Sequence, residues 1–272
     1  MPEIAEVRTV ATALNKKVLH KNIIGIDIIY DKTVAMDKNE FKKLIINKTI
    51  EHIDTVGKWL LFRLGEYTLV SHLRMEGKYF VKSSKDPVVK HEHVIFHLAD
   101  GTDLRYHDTR KFGRMKVVKT SDVMNLPEIK KLGIEPDNKE LTSEYIYNKI
   151  HHLRITIKQA LLDQTIINGL GNIYANEVLF YAKIKPTKKC NKITKKECEI
   201  IREGCNEIIT KATKSGGTTI RSYTSQLGVK GSYQEYLLVH DRKGKACVNC
   251  GTPIDKITVG GRGTYYCKNC QK

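Results

Sequence analysis

The chain has 272 residues, 40% of them hydrophobic and 7% aromatic, and its formal net charge is +17. This length suits two or three compact units, and the excess of positive charge favours a polyanionic partner. Nucleic acid fits better than an anionic membrane, because we find no basic amphipathic helix, lipidation signal or membrane-length apolar run. There is also no secretory signal, so we expect a cytoplasmic protein of the bacterial cytosol or nucleoid.

The first half of the chain predicts one helix followed by many short strands. Apolar residues recur at helical spacing over residues 3–19, with charged residues opposite them. Residues 23–30 and 49–119 alternate or carry β-branched residues, and turn signals such as Ala99-Asp100-Gly101 separate the apolar runs. The pattern predicts a helix that leads into a β-sandwich or barrel.

The second half of the chain predicts helices. Residues 120–142 are polar and contain Pro127 and Pro136, which is typical of a linker. Beyond this stretch the apolar residues follow the helical period of 3.6, and the clearest helical segments are 173–183 and about 193–213. We therefore expect a strand-rich part, a linker, a helical part and a C-terminal cysteine-rich part.

Two Cys-x-x-Cys pairs near the end of the chain predict a metal site. Cys247 pairs with Cys250, and Cys267 with Cys270, so that four thiolates can meet one tetrahedral Zn²⁺. Two disulfides or a redox site are the alternatives. Four protein ligands leave no open position for water, so the zinc ion is expected to be structural. The roles of the remaining cysteines stay open, and packing in the core or exposure at the surface without a chemical role is favoured over chemistry; they are Cys190, Cys198 and Cys205.

The span between the two cysteine pairs predicts a β-hairpin. Its strands are expected over residues 254–259 and 264–266, with Gly260-Gly261-Arg262-Gly263 as the turn. Glycines allow a backbone to approach a ligand closely, so Arg262 could contact a bound molecule. An arginine in a solvated turn is the other interpretation, and the residues alone favour neither.

The first residues of the chain offer an unusual nucleophile. Removal of Met1 would leave Pro2 with a secondary α-amine, which is partly unprotonated at neutral pH and can condense with an aldehydic carbon. Glu3 could then act as a general acid or base. Proline at the first turn of a helix, followed by an acidic residue, is also ordinary helix chemistry, and the dipeptide alone favours that interpretation.

Several motifs occur together in one order along the whole chain. They are Met1-Pro2-Glu3-Ile4-Ala5-Glu6-Val7, Gly57-Lys58-Trp59, Ser71-His72-Leu73-Arg74-Met75-Glu76-Gly77, Lys90-His91-Glu92-His93, Asp108-Thr109-Arg110-Lys111-Phe112-Gly113, Gly169-Leu170-Gly171-Asn172-Ile173-Tyr174 and the four-cysteine finger with Gly261-Arg262-Gly263. Each motif alone is weak or moderate, but their order and spacing together are specific. The set resembles the formamidopyrimidine-DNA glycosylase branch of the bacterial Fpg/Nei superfamily.

The resemblance implies an α+β fold in three parts. These are an N-terminal helix with a β-sandwich (1–130), a helical domain with a helix-two-turns-helix element (131–240) and a β-hairpin zinc finger (241–272). It implies a monomeric DNA repair enzyme that removes oxidised purines from double-stranded DNA and cleaves the strand by β,δ-elimination. One structural Zn²⁺ is implied, and neither a nucleotide cofactor nor a membrane partner.

The resemblance also assigns catalytic roles. Pro2 is the nucleophile that forms a Schiff base with the sugar, and Glu3 is the acid that assists opening of the sugar ring. Lys58 contacts phosphate and assists β-elimination, and Arg262 assists δ-elimination from the finger. Two further carboxylates are expected near the active site; they are Glu6 and Glu177.

DNA contacts are implied for a second set of residues. Met75, Arg110 and Phe112 match the residues that fill the void left by an extruded nucleotide, as two apolar wedges and one hydrogen-bonding side chain. The loop 216–233 matches a segment that closes over the extruded base. Phosphate contacts are expected from the following residues: His91, Arg110, Lys158, Asn172 and Arg262.

Three positions depart from the family pattern. Ala5 replaces a second proline, Leu153 with Arg154 stands where a basic residue is common, and His240-Asp241 replaces a tyrosine-glycine pair. None of these removes a catalytic group. Two other classes stay open as alternatives: an endonuclease VIII-like glycosylase for oxidised pyrimidines, and a zinc-ribbon DNA-binding protein without catalysis.

Overall fold

The computed structural model describes residues 2–218 and 231–272. The α-helices are α1 (Ile4–Val18), α2 (Lys38–Ile45), α3 (Pro127–Lys130), α4 (Ser143–Ile150), α5 (Ile157–Leu162), α6 (Asn172–Tyr181) and α7 (Lys195–Lys214). The strands are β1 (Ile23–Ile28), β2 (His52–Val56), β3 (Trp59–Leu64), β4 (Tyr67–His72), β5 (Lys78–Ser83), β6 (Glu92–Leu98), β7 (Thr102–His107), β8 (Arg114–Lys119), β9 (Asp255–Val259) and β10 (Arg262–Tyr266). Short 3₁₀ helices lie at Asp31–Thr33, Thr120–Asn125, Cys190–Lys192 and Tyr233–Tyr236.

Two antiparallel four-stranded sheets enclose the main core of the strand-rich half. Their strand orders are β1-β6-β7-β5 and β2-β3-β4-β8. Successive side chains on a strand point to opposite faces, and Leu60 and Phe62 of β3 accordingly reach the same buried cluster as Phe96 and Tyr106 of the other sheet. The predicted β-sandwich is therefore confirmed.

Helix α1 is built into this core. Its residues Val7, Val10 and Leu14 recur at helical spacing and join the buried cluster of the two sheets. The Asn15 side-chain amide also exchanges two hydrogen bonds of 2.9 Å with the peptide groups of Ile53 in β2. These contacts fix the helix against the hairpin formed by β2 and β3.

The segment predicted to be a linker is partly structured. The 3₁₀ helix Thr120–Asn125 and helix α3 place Val123 and Ile129 against Leu61 and Val70, on the outer face of the second sheet. The polar composition of residues 120–142 hides these few apolar residues. The linker prediction was wrong for this first part of the segment.

The chain forms two compact units. Among the described residues, the first unit contains 2–130 with Gly231, and the second contains 131–218 and 232–272. The longest helix of the second unit, α7, begins with a capping box between Thr194 and Glu197. None of the helices in the described ranges is both long and apolar enough to cross a membrane.

The cysteines outside the finger are buried in the second unit. Burial raises the pKa of the Cys190 thiol to about 11 and that of Cys198 and Cys205 to about 12. A thiol that stays protonated at neutral pH is a poor nucleophile and a poor metal ligand. These side chains act as small apolar groups of the core, which is one of the two alternatives that the sequence left open.

Candidate functional site

The start of α1 buries two acidic side chains. Pro2 is buried, and Glu3 and Glu6 are 2% and 6% exposed. The Glu3 backbone N–H donates to Glu6 Oε2 at 2.9 Å, which forms one half of a capping box. The positive end of the helix dipole favours carboxylates at this position. Acidic side chains are rarely this buried, so the start of α1 is a candidate reaction centre.

Lys58 lies in the tight turn that joins β2 to β3. Gly57 has a φ of 55°, a left-handed conformation that glycine adopts without steric cost, and Lys58 follows it with 6% exposure. The turn therefore determines where the ammonium group lies. Since α1 is bound to β2, Lys58 and the start of α1 belong to the same rigid part of the first unit.

His72 is a neighbour of this turn that the sequence analysis did not assign. Its ring lies 4.6 Å from that of Trp59 in an edge contact, and its Nδ1 accepts the Arg74 backbone N–H at 2.9 Å. Burial, together with the positive charges of Arg74 and Lys58, lowers the pKa of His72 to about 3. His72 is therefore neutral at physiological pH and adds no charge beside Lys58.

The three predicted wedge residues lie close together in the first unit. Met75 and Phe112 line one open cavity of about 400 Å³ together with Arg74 and Arg114. The Arg110 guanidinium lies over the Phe112 ring, 4.9 Å from its centroid. Phe112 is 47% exposed, although phenylalanine side chains are usually buried.

His91 lies on a separate turn of the same unit. Its φ of 73° is left-handed, and its ring lies 5.7 Å from the ring of His107. The His91 carbonyl accepts the Asp108 backbone N–H at 3.0 Å, which connects this turn to the loop that carries Arg110. His91 is half-buried.

In the second unit, the predicted phosphate contacts Lys158 and Asn172 are both used inside the fold. Lys158 is fully buried, and its Nζ donates to Asn176 Oδ1 and, at 3.4 Å, to the Asn172 carbonyl. Because the side chain is buried, the ammonium group does not lie at the surface where a phosphate could contact it. The Asn172 side-chain amide donates to the Gly263 carbonyl at 2.9 Å and so connects the first residue of α6 to strand β10.

His240 extends this hydrogen-bond network. Its Nδ1 accepts the Asn176 side-chain amide at 2.8 Å, and its ring lies 5.0 Å from that of Tyr265. Burial and the nearby charge of Lys158 lower the pKa of His240 to about 4. The adjacent Asp241 has a φ of 57° and accepts the Tyr265 hydroxyl at 3.2 Å. The acidic residue at this departure from the family pattern therefore has a structural partner.

Glu177 is buried and binds backbone rather than a side chain. Its carboxylate accepts the N–H groups of Leu238, Val239 and His240 at 2.8 to 3.1 Å. Burial raises the pKa of Glu177, and the three hydrogen bonds oppose that shift. Glu177 thus fixes the segment that leads into the finger, and it also lines a cavity of about 460 Å³ in the second unit.

The four finger cysteines meet at one point. Their sulfur atoms all lie within 4.8 Å of one another, and the Sγ distances are 3.9 Å for Cys247–Cys270 and 3.5 Å for Cys250–Cys267. Tetrahedral Zn²⁺ with Zn–S bonds of about 2.3 Å requires Sγ separations of about 3.8 Å, so the cluster fits one zinc ion. Disulfides would require sulfur atoms at about 2 Å.

The hairpin of the finger is tighter than predicted. Its turn is Gly260-Gly261, with φ values of 55° and 73°, and Arg262 is the first residue of β10, opposite Val259. Arg262 was wrongly placed within the turn, because strand β10 begins earlier than the run of apolar residues. The side chain is exposed, and Asn172 holds the following residue, Gly263.

A helix-led β-sandwich, a helical unit and a four-cysteine hairpin together define the architecture of zinc-finger DNA glycosylases. The formamidopyrimidine-DNA glycosylase N-terminal domain matches residues 1–115, and the H2TH domain of the same enzyme matches residues 132–224. The zinc finger found in FPG and IleRS matches residues 244–272. The chain belongs to the formamidopyrimidine-DNA glycosylase family, as its motifs predicted.

The similarity to known relatives covers the whole chain. It is 48% identical to formamidopyrimidine-DNA glycosylase of Ligilactobacillus salivarius, over 100% of the chain and 99% of the relative. The identity to that of Oceanobacillus iheyensis is 45%, over 100% and 98%. Wild-type Lactococcus lactis Fpg (MutM), bound to DNA containing N7-benzyl-Fapy-dG, has a TM-score of 0.94 and 39% identity with full coverage of both chains.

The Lactococcus enzyme bound to DNA with an abasic site gives the same TM-score and identity over 99% of each chain. The predicted fold class and the zinc site are thereby confirmed. The loop predicted over 216–233 falls mostly on residues 219–230, which lie outside the described residues.

Proposed function

We propose that this protein excises oxidised purines, such as 8-oxoguanine and formamidopyrimidines, from double-stranded DNA and then cleaves the strand at the abasic site. Membership of the family supports this activity, and relatives of known structure bind DNA that carries Fapy-dG or an abasic site. The observation that carries the proposal is the start of α1, where Pro2 lies beside two buried carboxylates.

Pro2 performs the covalent step after Met1 is removed. Its secondary amine attacks C1′ of the damaged nucleoside, a C1′–N bond forms, and the bond between C1′ and the base breaks. Opening of the sugar ring gives an iminium ion, which withdraws electrons from C2′. Loss of a proton from C2′ then expels the 3′ phosphate, and a second elimination expels the 5′ phosphate.

Glu3 supplies the proton transfers at this centre. Opening of the ring requires a proton on the ring oxygen, and a carboxyl group close to Pro2 can donate it. Glu6 accepts the Glu3 N–H and keeps the residue in place. Lys58 binds a phosphate next to the reacting sugar and assists β-elimination, with a neutral His72 at its side.

The first unit also gives access to the damaged nucleotide. C1′ is inaccessible inside a duplex, so the nucleotide must leave the base stack. Met75 and Phe112 fill the void as apolar wedges, and Arg110 hydrogen-bonds the base that has lost its partner. The shared cavity of Met75 and Phe112, and the contact of Arg110 with the Phe112 ring, support a joint role.

Contacts to the DNA phosphates come mainly from the second unit. Arg262 reaches a phosphate from strand β10 and assists δ-elimination, while His91 and Arg110 add contacts from the first unit. Lys158 and Asn172 support phosphate binding indirectly, because their hydrogen bonds hold α6 and the hairpin in place. The structural zinc ion, held by Cys247, Cys250, Cys267 and Cys270, fixes the base of the hairpin.

The enzyme acts as a monomer in the bacterial cytosol. Strand cleavage on duplexes that carry 8-oxoguanine opposite cytosine, compared with thymine glycol opposite adenine, tests the substrate class. We expect faster cleavage of the first duplex. Preference for thymine glycol would assign the chain to the oxidised-pyrimidine class instead. Sedimentation of the protein with and without the duplex tests the monomeric state.

A further inference from the structure

The loop that carries two of the wedge residues is organised by one buried carboxylate. Asp108 is fully buried, and its Oδ1 accepts the Arg110 backbone N–H at 2.9 Å. Its Oδ2 accepts the N–H groups of Phe112 and Gly113 at 2.9 and 2.8 Å. A single side chain therefore fixes both ends of the turn in which Lys111 has a left-handed φ of 58°. The outward positions of Arg110 and Phe112 depend on this carboxylate.

Tyr106 connects this loop to the one that carries Met75. Its buried hydroxyl lies 3.5 Å from Asp108 Oδ2, and burial next to that carboxylate raises the pKa of the phenol, which stays protonated. The hydroxyl also occupies the space beside Gly77 and Gly113, where an added Cβ would lie 2.2 Å and 1.5 Å from the oxygen. Only glycine at both positions lets the two loops close on the tyrosine.

A second link lies nearer the surface. The Thr109 hydroxyl donates to the Glu76 carboxylate, so residues adjacent to Arg110 and to Met75 are bonded directly. The two wedge loops are thus joined twice, once at Tyr106 and once at Thr109. The position of each loop therefore depends on the position of the other.

We propose that Asp108 and Tyr106 are positioning residues that set the void-filling side chains in their working arrangement before DNA binds. The proposal rests on the proposed function. Insertion into a base stack must offset the cost of unstacking, and a preset wedge avoids the additional cost of ordering three side chains and two loops at that moment. The charge-assisted hydrogen bonds offset the burial of the Asp108 charge.

Asp108→Asn is the sharpest test, because the amide keeps the volume but replaces one oxygen by an NH₂ group. If the amide oxygen serves Phe112 and Gly113, the NH₂ group faces the N–H of Arg110 and that bond is lost. Tyr106→Phe is a second variant that removes only the hydroxyl. Asp103→Asn is the matched control, since Asp103 is a buried carboxylate on β7, the strand that leads into Asp108, but binds Arg105, Ser84 and His97 instead.

Two single-turnover rates and one fluorescence signal separate positioning from a general structural effect. We expect Asp108→Asn to slow excision of 8-oxoguanine from a duplex about 10- to 100-fold, the scale of a misplaced reacting group. Strand cleavage at a preformed abasic site has no base to unstack, and it should change less than about threefold. The fluorescence rise of 2-aminopurine opposite the lesion should slow together with excision. Tyr106→Phe should shift the same two measurements in the same direction.

Asp103→Asn should lower the Tm and leave the ratio of the two rates unchanged. The proposal is overturned if Asp108→Asn excises at the rate of the unmodified protein, or if both of its rates fall equally. Failure of the proposed function gives a different result, because the unmodified protein would then leave the 8-oxoguanine duplex intact.

Discussion

The two units position their proposed functional groups in different ways. In the first unit, the reactive groups lie at the start of α1 and on turns between strands of a packed sandwich. In the second unit, the proposed phosphate contacts lie on short helices and on a hairpin held by four cysteines. Buried carboxylates and a histidine set the positions in the first unit, as at Asp108 and His72. In the second unit, an amide network and a metal site do so.

This difference assigns catalysis mainly to the first unit and DNA binding mainly to the second. The core of the sandwich contains no metal site among the described residues, so removal of zinc should leave the position of Pro2 unchanged. The finger packs in a small core that it shares with α6, in which Phe180, Val239 and Ile254 lie beside the cysteines. Such a core is marginal without its metal. Damage to the first unit should therefore abolish turnover, and damage to the second unit should weaken DNA binding.

The largest expected effect follows from blocking Pro2. A protein that keeps two extra residues before Pro2 should lose glycosylase and strand-cleavage activity by more than about a thousandfold, the scale of removing a nucleophile. Its affinity for a duplex with a tetrahydrofuran abasic analogue should change less than about threefold. The same residues added after Lys272 are the control. Activity near that of the control in a protein shown by mass spectrometry to keep the extension would refute the role of Pro2.

Removal of zinc should give the second largest effect. Chelation is expected to weaken DNA binding about 10- to 100-fold, because Arg262 and the hairpin lose their fixed position. The only tryptophan, Trp59, lies in β3 of the first unit and reports on that unit alone. Its fluorescence should stay unchanged during chelation, and binding should return with added Zn²⁺. A large change in the Trp59 signal would contradict an effect of zinc that is confined to the second unit.

Lys158→Met should separate an indirect role from a direct phosphate contact. The methionine keeps the volume but leaves Asn176 Oδ1 without its partner, which should cost about 1–3 kcal/mol of unfolding free energy. The slope of log affinity against log salt should stay unchanged. Arg262→Gln is the comparison, and it should reduce that slope by about 0.9. An equal loss of slope in Lys158→Met would show that Lys158 contacts phosphate itself.

The last effect, which is absent at neutral pH, is a dependence of stability on pH. The pKa values of His72 and His240 are lowered in the fold to about 3 and about 4, whereas unfolded histidine titrates near 6.5. The unfolded chain therefore binds more protons as the pH falls below about 6.5, and each histidine costs at most about 1.4 kcal/mol per pH unit. Stability from these groups is complete above pH 6.5 and is lost towards pH 4 and 3. His72→Asn should flatten the Tm curve between pH 4 and 6.5, and an unchanged curve would contradict a neutral His72.

Patterns of apolar residues sufficed to predict the sandwich, most of the helices and the finger. Strand β3 lies within the strand-rich stretch predicted over 49–119, because its apolar residues are bounded by the turn glycines Gly57 and Gly65. Helix α2 was not predicted, although Asp37 caps it and Phe41 and Ile45 lie at helical spacing. Eight residues with many charges carry too short a signal for periodicity to identify.

Roles in the site were harder to predict than positions in the fold. The motif around Arg110 identified the wedge residues. The role of Asp108 depends on hydrogen bonds from its carboxylate to the backbone of its own loop, and the only sequence signal for these is the tendency of aspartate to form Asx-turns. Lys158 was expected to contact phosphate, as the resemblance implied, whereas the fold buries it. Its burial depends on Asn176, which is distant in sequence and meets it only through the packing of α5 against α6.

Reductive trapping tests the central claim most directly. The protein, with Met1 removed, is incubated with an 8-oxoguanine duplex in borohydride, which reduces the iminium to a stable amine, and the covalent product is digested and mapped by mass spectrometry. We predict one adduct, on the peptide that begins at Pro2. An adduct on another amine such as Lys58, or no adduct although the base is released, would contradict the account.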